Sequence, residues 1–174
     1  LQDTVADIRE GGQLGEITMP YTRCYFYSKY EGWIPEYLLY YRSAHWVVDV
    51  IEGPDKRPWY TLLDELISVK YSIPAEHMRI IPDSELDPIH PDVPLGEKSI
   101  HVNIARQTLE AYEGGEQVFA TKISSGGATP TGTYNIQTKM PSKHMGNGKV
   151  TSWDFAYELV GVPWNCFFEM KKGM

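Results

Sequence analysis

The sequence predicts a mainly β fold arranged as two successive β domains. Short runs in which apolar and polar residues alternate recur from Glu16 almost to the end, and Gly, Pro and Asp turn signatures separate them. A stretch rich in proline and acidic residues divides the two series of strands. Of the 174 residues, 42% are hydrophobic and 22% are charged, which is typical of a folded domain and not of a disordered tail.

Residues 1–14 predict a short N-terminal helix. Leu1, Val5 and Ile8 lie at helical spacing, and the sequence GGQLGE then ends the pattern. We expect the strands to begin directly after it.

Residues 15–82 predict a small β barrel. The runs ITMPYTRCYFYSKY, YYRSAHWVVDVIEG and RPWYTLLDEL are strand-like, and Gly53-Pro54-Asp55 predicts a turn. The closing IPAEHMRII predicts one short helical turn followed by an apolar strand. This order of elements resembles an SH3-like barrel, a fold that serves many partners and so identifies no ligand by itself.

Residues 83–97, with several prolines and acidic residues, predict a semi-rigid linker. Residues 98–174 then predict further strands, including a hairpin with its turn at Glu113-Gly114-Gly115. A strand at TYNIQTKM, a loop at PSKHMGNGKVTSWDF and a last strand pair at YELVGVPWNCFFEM complete the chain.

The net charge of −7 and the pI of about 5.2 argue against nucleic acid or an anionic membrane as a partner. Phosphate binding requires clustered Lys and Arg, which an acidic balance does not supply. No apolar run approaches the length of about 18 residues that a transmembrane helix needs. No signal peptide is visible.

The two cysteines predict buried free thiols. Cys24 and Cys166 lie far apart in strand-like runs, and no C-x-x-C motif is present. The histidines also show no pattern typical of a metal site. Four histidines fall at no metal-ligand spacing, so we predict no metal site: His45, His77, His90 and His101.

Several motifs follow one another in a set order between Glu97 and Met174: ARQTLEAY, an EGG turn, VFATKISSGG and TPTGTY, then PSKHMGNG and VPWNCFF. This order resembles the catalytic domain of L,D-transpeptidases, the YkuD-type fold, in a subset that carries an N-terminal SH3-like domain. The resemblance implies a partial L,D-transpeptidase-type β-sandwich over residues 98–174. The SSGGATPTG crossing would turn a corner beside a groove, or form a plain β-turn.

The resemblance implies cysteine acyl transfer on the bacterial cell wall. A thiolate attacks a peptidoglycan stem peptide, expels D-alanine and forms a thioester, which an amine of a neighbouring stem resolves into a cross-link. The implied partners are stem peptides, the implied location is extracytoplasmic, in the cell envelope, and no cofactor is implied.

The nucleophile motif of that family, Ser/Thr-His-Gly-Cys, does not occur in this sequence, which contains neither His-Gly nor Gly-Cys. Cys166 lies in an apolar strand with no His nearby in sequence and no Gly elbow, so we do not assign it as the nucleophile. No catalytic residue is therefore predicted, and the chain alone is expected to be inactive. A missing C-terminal segment or a second chain would complete the sheet.

Four residues are candidates for substrate binding: Lys143, His144, Gly146 and Trp164. A basic, mobile loop around His144 could hold the carboxylates of a stem peptide, and Trp164 could form a groove wall. The alternatives are a solvated hairpin loop and an aromatic core residue.

Two classes of function follow. The first is a peptidoglycan L,D-transpeptidase whose nucleophile motif lies outside this chain. The second is a catalytically inactive module that binds cell wall or protein.

Overall fold

The structure is mainly antiparallel β-sheet, which confirms the predicted mainly β fold class. The computed structural model describes residues 8–146 and 158–169, and within these ranges the strands form sheets of seven, three and two strands. In the same ranges, no helix has the length and apolar character needed to cross a membrane.

The first sheet contains the strands of the N-terminal half, in the spatial order β3-β2-β6-β5-β4-β1-β7. Their bounds are β1 (Gln13–Ile17), β2 (Tyr21–Ser28), β3 (Gly32–Tyr40), β4 (Ala44–Glu52), β5 (Pro58–Asp64), β6 (Val69–Pro74) and β7 (Met78–Ile80). A single 3-10 turn, Ala75–His77, separates β6 from β7, which confirms the helical turn predicted within IPAEHMRII.

The core of this sheet comes from the alternation that the sequence shows. Side chains that point to one face of each strand meet in a cluster that is removed from water, while their neighbours face outwards. The fully buried members with no exposed surface are Ile17, Cys24, Leu39, Val47, Leu62 and Ile73. Strands β3 and β7 end the strand order without pairing with each other. The SH3-like assignment of residues 15–82 stays a prediction.

The second sheet has the order β10-β9-β8, with β8 (Lys98–Asn103), β9 (Thr108–Glu113) and β10 (Glu116–Lys122). Gly114 and Gly115 form the β9–β10 turn, as predicted. No residue between 86 and 134, a range that is fully described, is buried. This sheet therefore has hydrogen-bonded strands without a closed core of its own.

The third sheet is a hairpin of β11 (Thr138–Gly146) and β12 (Glu158–Phe167). The described residues up to Glu85 and from Asn135 onwards belong to one compact unit, and Leu86–Tyr134 form another. The predicted limits of the linker, residues 83–97, and of the second domain, residues 98–174, stay predictions.

Some local predictions are wrong. Residues 8–12 form a turn instead of a helix, with Gly12 N donating to Arg9 O at 3.0 Å, and β1 begins at Gln13. The rest of the predicted helix, residues 1–7, lies outside the described residues. At the other end, TYNIQTKM becomes a strand only at Thr138.

The predicted loop PSKHMGNG is a strand as far as Gly146, because β12 supplies a hydrogen-bonding partner that lies outside the local sequence. The remainder of that loop, residues 147–157 with Trp153, lies outside the described residues.

Candidate functional site

The β11–β12 hairpin packs on the first sheet and encloses a small polar pocket. Ser142 Oγ donates to the Ala44 carbonyl at 2.6 Å, and Val160 packs against the core cluster of the first sheet. The enclosed pocket has a volume of about 80 Å³. Its polar lining comes from both the first sheet and the hairpin: His45, Asp64, Glu65, Tyr71, Ser142, Lys143 and His144.

His144 lies between two carboxylates. Its Nδ1 donates to Asp64 Oδ2 at 2.6 Å, and its Nε2 lies 2.9 Å from Glu158 Oε1 without the alignment of a hydrogen bond. Only 4% of the His144 side chain and 1% of the Asp64 side chain are exposed. Nε2 is consequently a buried polar atom that lacks an aligned partner within the described chain.

The Asp64 carboxylate is held by backbone hydrogen bonds as well as by His144. Its Oδ1 accepts the backbone N–H of Leu66 at 2.9 Å and of Ile67 at 3.4 Å, at the turn that follows β5. Because Oδ1 is occupied by the turn, Oδ2 is left to accept from His144. This fixes which ring nitrogen faces Asp64 and directs Nε2 towards Glu158.

An Asp–His pair of this kind can orient a general base, but a nucleophile is also needed. Cys166 pairs with Lys139 across the hairpin, five positions along β11 from His144. That spacing corresponds to about 16 Å of strand. The hairpin therefore does not bring the Cys166 thiol to the imidazole.

His45 forms a second buried polar group at the same pocket. Its Nε2 hydrogen-bonds with Ser43 Oγ at 2.8 Å and its Nδ1 with the Tyr71 hydroxyl at 3.2 Å. Burial lowers the pKa of His45 from 6.5 to about 3, and the Asp64 carboxylate opposes this shift only in part. His45 is therefore neutral at ordinary pH.

Gly161 allows the hairpin to lie directly on His45. A Cβ at this position would come within 2.2 Å of His45 Cε1 and 2.7 Å of the Ala44 carbonyl oxygen. Its φ of +75° also lies in the left-handed region that favours glycine. The contact between β12 and β4 thus depends on the absence of a side chain.

The four predicted substrate-binding residues all lie on the hairpin, but not at one place. Lys143 and His144 line the pocket, while Gly146 ends β11 opposite Glu158, and Trp164 does not line the pocket. Burial of His144 rules out the solvated-loop alternative, and the 50% exposure of Trp164 rules out the aromatic-core alternative. A substrate-binding role for the four residues stays a prediction.

Sequence reasoning missed three residues that line the pocket, His45, Asp64 and Gly161, and also Glu158, which lies against His144. Asp64 and His144 are separated by 80 positions, so no local spacing predicts their contact. The acidic end of the otherwise apolar run WYTLLD was the available signal for Asp64, since a carboxylate at the end of a buried strand needs a partner.

The two thiols differ in environment. Cys24 is buried, as predicted, and burial raises its pKa to about 12. Cys166 is exposed, so the prediction of two buried thiols is wrong for this residue. Its strand has one face directed to solvent, which an apolar run such as VPWNCFF does not reveal.

Within residues 8–146 and 158–169, no group of three or more His, Cys, Asp or Glu side chains is arranged to hold a metal ion. Asp64 and Glu158 instead each lie against one nitrogen of the His144 ring.

Comparison with known proteins gives one match, in the second half of the chain. Neither the curated proteins nor the solved structures give a significant match. The family model does: residues 97–169 match the YkuD family, the L,D-transpeptidase catalytic domain.

Proposed function

We propose that this chain is part of a peptidoglycan L,D-transpeptidase that acts in the cell envelope, outside the cytoplasm. The observation that carries the proposal is the match of residues 97–169 to the catalytic domain family. The reaction is acyl transfer from one stem peptide to the amine of another, through a cysteine thioester. The Ser/Thr-His-Gly-Cys motif that provides the nucleophile in that family does not occur in this sequence.

The residues of the hairpin have distinct proposed roles. Lys143 attracts the carboxylates of a stem peptide, because it is a cationic residue that lines the pocket. Trp164 offers an exposed aromatic surface to the peptide, and the exposed Gly146 permits close approach. His144 is a positioning residue, because its contact with Asp64 of β5 holds the hairpin on the first sheet.

The second candidate is an inactive cell-wall or protein-binding module. The absence of any His-Gly or Gly-Cys pair favours it, because a transpeptidase without a thiolate and its base cannot form the acyl-enzyme. The exposed Cys166 does not replace them, since it is remote from His144 along the hairpin.

The test uses protein captured from the cells that make it, with an antibody raised against this chain. The captured protein is incubated with disaccharide-tetrapeptides, and D-alanine release and cross-linked products are measured by liquid chromatography and mass spectrometry. We expect both products, and we expect iodoacetamide to abolish them. The recombinant 174-residue chain should bind purified sacculi without releasing D-alanine.

The outcomes separate the two candidates. Captured protein that binds sacculi but releases no D-alanine supports the binding module. Release of D-alanine by the recombinant chain, with loss of release in Cys166→Ser, would contradict our conclusion that Cys166 is not the nucleophile.

A further inference from the structure

A row of four aromatic rings crosses the first sheet, far in sequence from the matched family domain. The ring centroids of Tyr25 and Trp59 are 5.5 Å apart, those of Trp59 and Trp33 are 5.3 Å apart, and those of Trp33 and Tyr27 are 5.2 Å apart. Trp59 is buried, whereas Tyr27 is 60% exposed. The row therefore runs from the interior of the sheet to its surface.

The exposed end of this row forms one wall of an open groove of about 450 Å³. The opposite wall is the β4–β5 turn, which contributes Pro54 and Lys56. Grooves of this size, lined by aromatic and apolar groups with a few polar ones, are typical of small-molecule sites. The volume suits one or two sugar rings better than a folded protein surface.

Both walls are fixed before any ligand binds. In the β4–β5 turn, Asp55 accepts from Trp59 Nε1 at 2.8 Å and from Arg57 Nε at 2.9 Å. Gly53 lies flat against the Trp59 indole, where a Cβ would come within 2.2 Å of the ring. The turn is thereby tied to the aromatic row.

The facing wall, formed by Tyr27 and Trp33, lies next to the tip of the β2–β3 hairpin. Ser28 Oγ accepts the backbone N–H groups of Tyr30 and Glu31 at 3.2 and 3.3 Å, which closes the tip into a tight turn. Tyr27 and Trp33 are directly paired across the two strands below this turn. A preformed aromatic surface of this kind loses little conformational entropy when a ligand binds.

The two charged side chains at the groove, Lys56 and Glu52, have opposite charges and form an ion pair. Lys56 Nζ lies 2.9 Å from Glu52 Oε1, and both side chains are largely exposed. The pair places a hydrogen-bond donor beside an acceptor without a net charge. Vicinal hydroxyls of a sugar match such a pair, whereas a phosphate polymer or a strongly charged peptide would meet one repulsive partner.

We propose that this groove, defined by Tyr27, Trp33, Glu52 and Lys56, binds a neutral glycan of β-linked N-acetylhexosamines. The apolar face of a pyranose ring packs on Tyr27 and Trp33, and its hydroxyls bond with Glu52 and Lys56. The choice of this glycan rests on the proposed cell-wall function. The groove holds the glycan strand, and the transpeptidase reaction takes place on the stem peptides.

The test is calorimetric titration of the full chain with chitotetraose, which carries no stem peptide. We expect saturable binding that Tyr27→Ala weakens about tenfold, equivalent to about 1.4 kcal/mol. Tyr40→Ala is the matched control, because Tyr40 is 57% exposed but lies at the base of the same hairpin, opposite Tyr21. It should leave the affinity unchanged. Trp33→Phe keeps a ring in the row and should weaken binding less than Tyr27→Ala.

Absence of saturable binding by chitotetraose would overturn the proposal, and so would equal losses in Tyr27→Ala and Tyr40→Ala. Binding of a proline-rich peptide at the groove in place of the sugar would also overturn it. None of these results bears on D-alanine release, so failure of the glycan site and failure of the proposed transpeptidase function are distinguished.

Discussion

The first sheet and the second sheet use the same secondary structure to different effect. Strands β1–β7 enclose side chains that have no exposed surface, whereas strands β8–β10 leave Ile100, Val102 and Phe119 about half exposed. Directly paired residues of β8, β9 and β10 share a face, so Ile100, Ala111 and Phe119 form one apolar rung. The second sheet thus has an apolar face without a buried core.

This difference shows that backbone pairing alone does not make a core. Hydrogen bonds in a sheet replace bonds to water and contribute modestly to net stability, whereas burial of apolar surface supplies the larger favourable free energy. We therefore expect substitutions in the first sheet to be costly and equivalent substitutions in the second sheet to be tolerated.

The largest contrast should come from truncating one apolar side chain in each sheet. Leu62→Ala leaves a cavity in the first sheet and should lower the free energy of unfolding by about 2–5 kcal/mol. Ile100→Ala should change it by about 0.5 kcal/mol or less, because the side chain is already half in water. Hydrogen-exchange mass spectrometry measures both sheets in one experiment, and equal losses would contradict the contrast.

A second contrast comes from two glycines with similar backbone angles. Gly161 and Gly115 have φ values of +75° and +86°. Gly161→Ala adds a collision with His45 to the backbone strain and should lower the free energy of unfolding by about 2–4 kcal/mol. Gly115→Ala meets no atom within 4 Å, so backbone strain of about 1–2 kcal/mol is its full cost. Thermal unfolding of both variants tests the difference.

A third prediction concerns acid. The unfolded chain protonates His45 near its ordinary pKa of 6.5, whereas the folded chain does so only near 3. The unfolded state therefore binds more protons between these values, and stability falls as pH drops through this window. The contribution of His45 is at most about 1.4 kcal/mol for each pH unit. Urea unfolding from pH 7 to 4 should show a shallower pH dependence in His45→Gln, and an unchanged slope would contradict the prediction.

The smallest effect concerns reactivity and not stability. Iodoacetamide should label Cys166 rapidly, because it is exposed, and should leave Cys24 unmodified in the folded protein. Burial of Cys24 and its raised pKa, about 12, both suppress the thiolate. Mass spectrometry of native and urea-unfolded samples reads out each thiol. Labelling of Cys24 under native conditions would show that the first sheet opens more readily than its core indicates.

Sequence reasoning worked where a pattern is local. The turn at Gly114-Gly115, and the 3-10 turn Ala75–His77 before β7, follow from turn chemistry within a few residues. It failed where the deciding partner is remote. The glycines around His144 predict a loop, whereas pairing with β12 and the contact with Asp64 bury His144 in a strand.

The exposure of Cys166 is a second feature that the local sequence does not predict. An apolar strand sequence does not indicate how much of each face a neighbouring element covers. The four-ring aromatic row also depends on strand register, since Tyr25, Trp33 and Trp59 come from three different strands. The residue types were evident, but their order in space was not.

The contact between Asp64 and His144 also sets an order for events during synthesis. Every strand of the first sheet has left the ribosome once residue 80 is free, so this sheet can form early. The polar pocket closes only after β12 is made, with all of residues 86–134 translated in between. Until then Asp64 has no contact with His144. The nascent chain exposes the surface of the first sheet that its own later hairpin will cover.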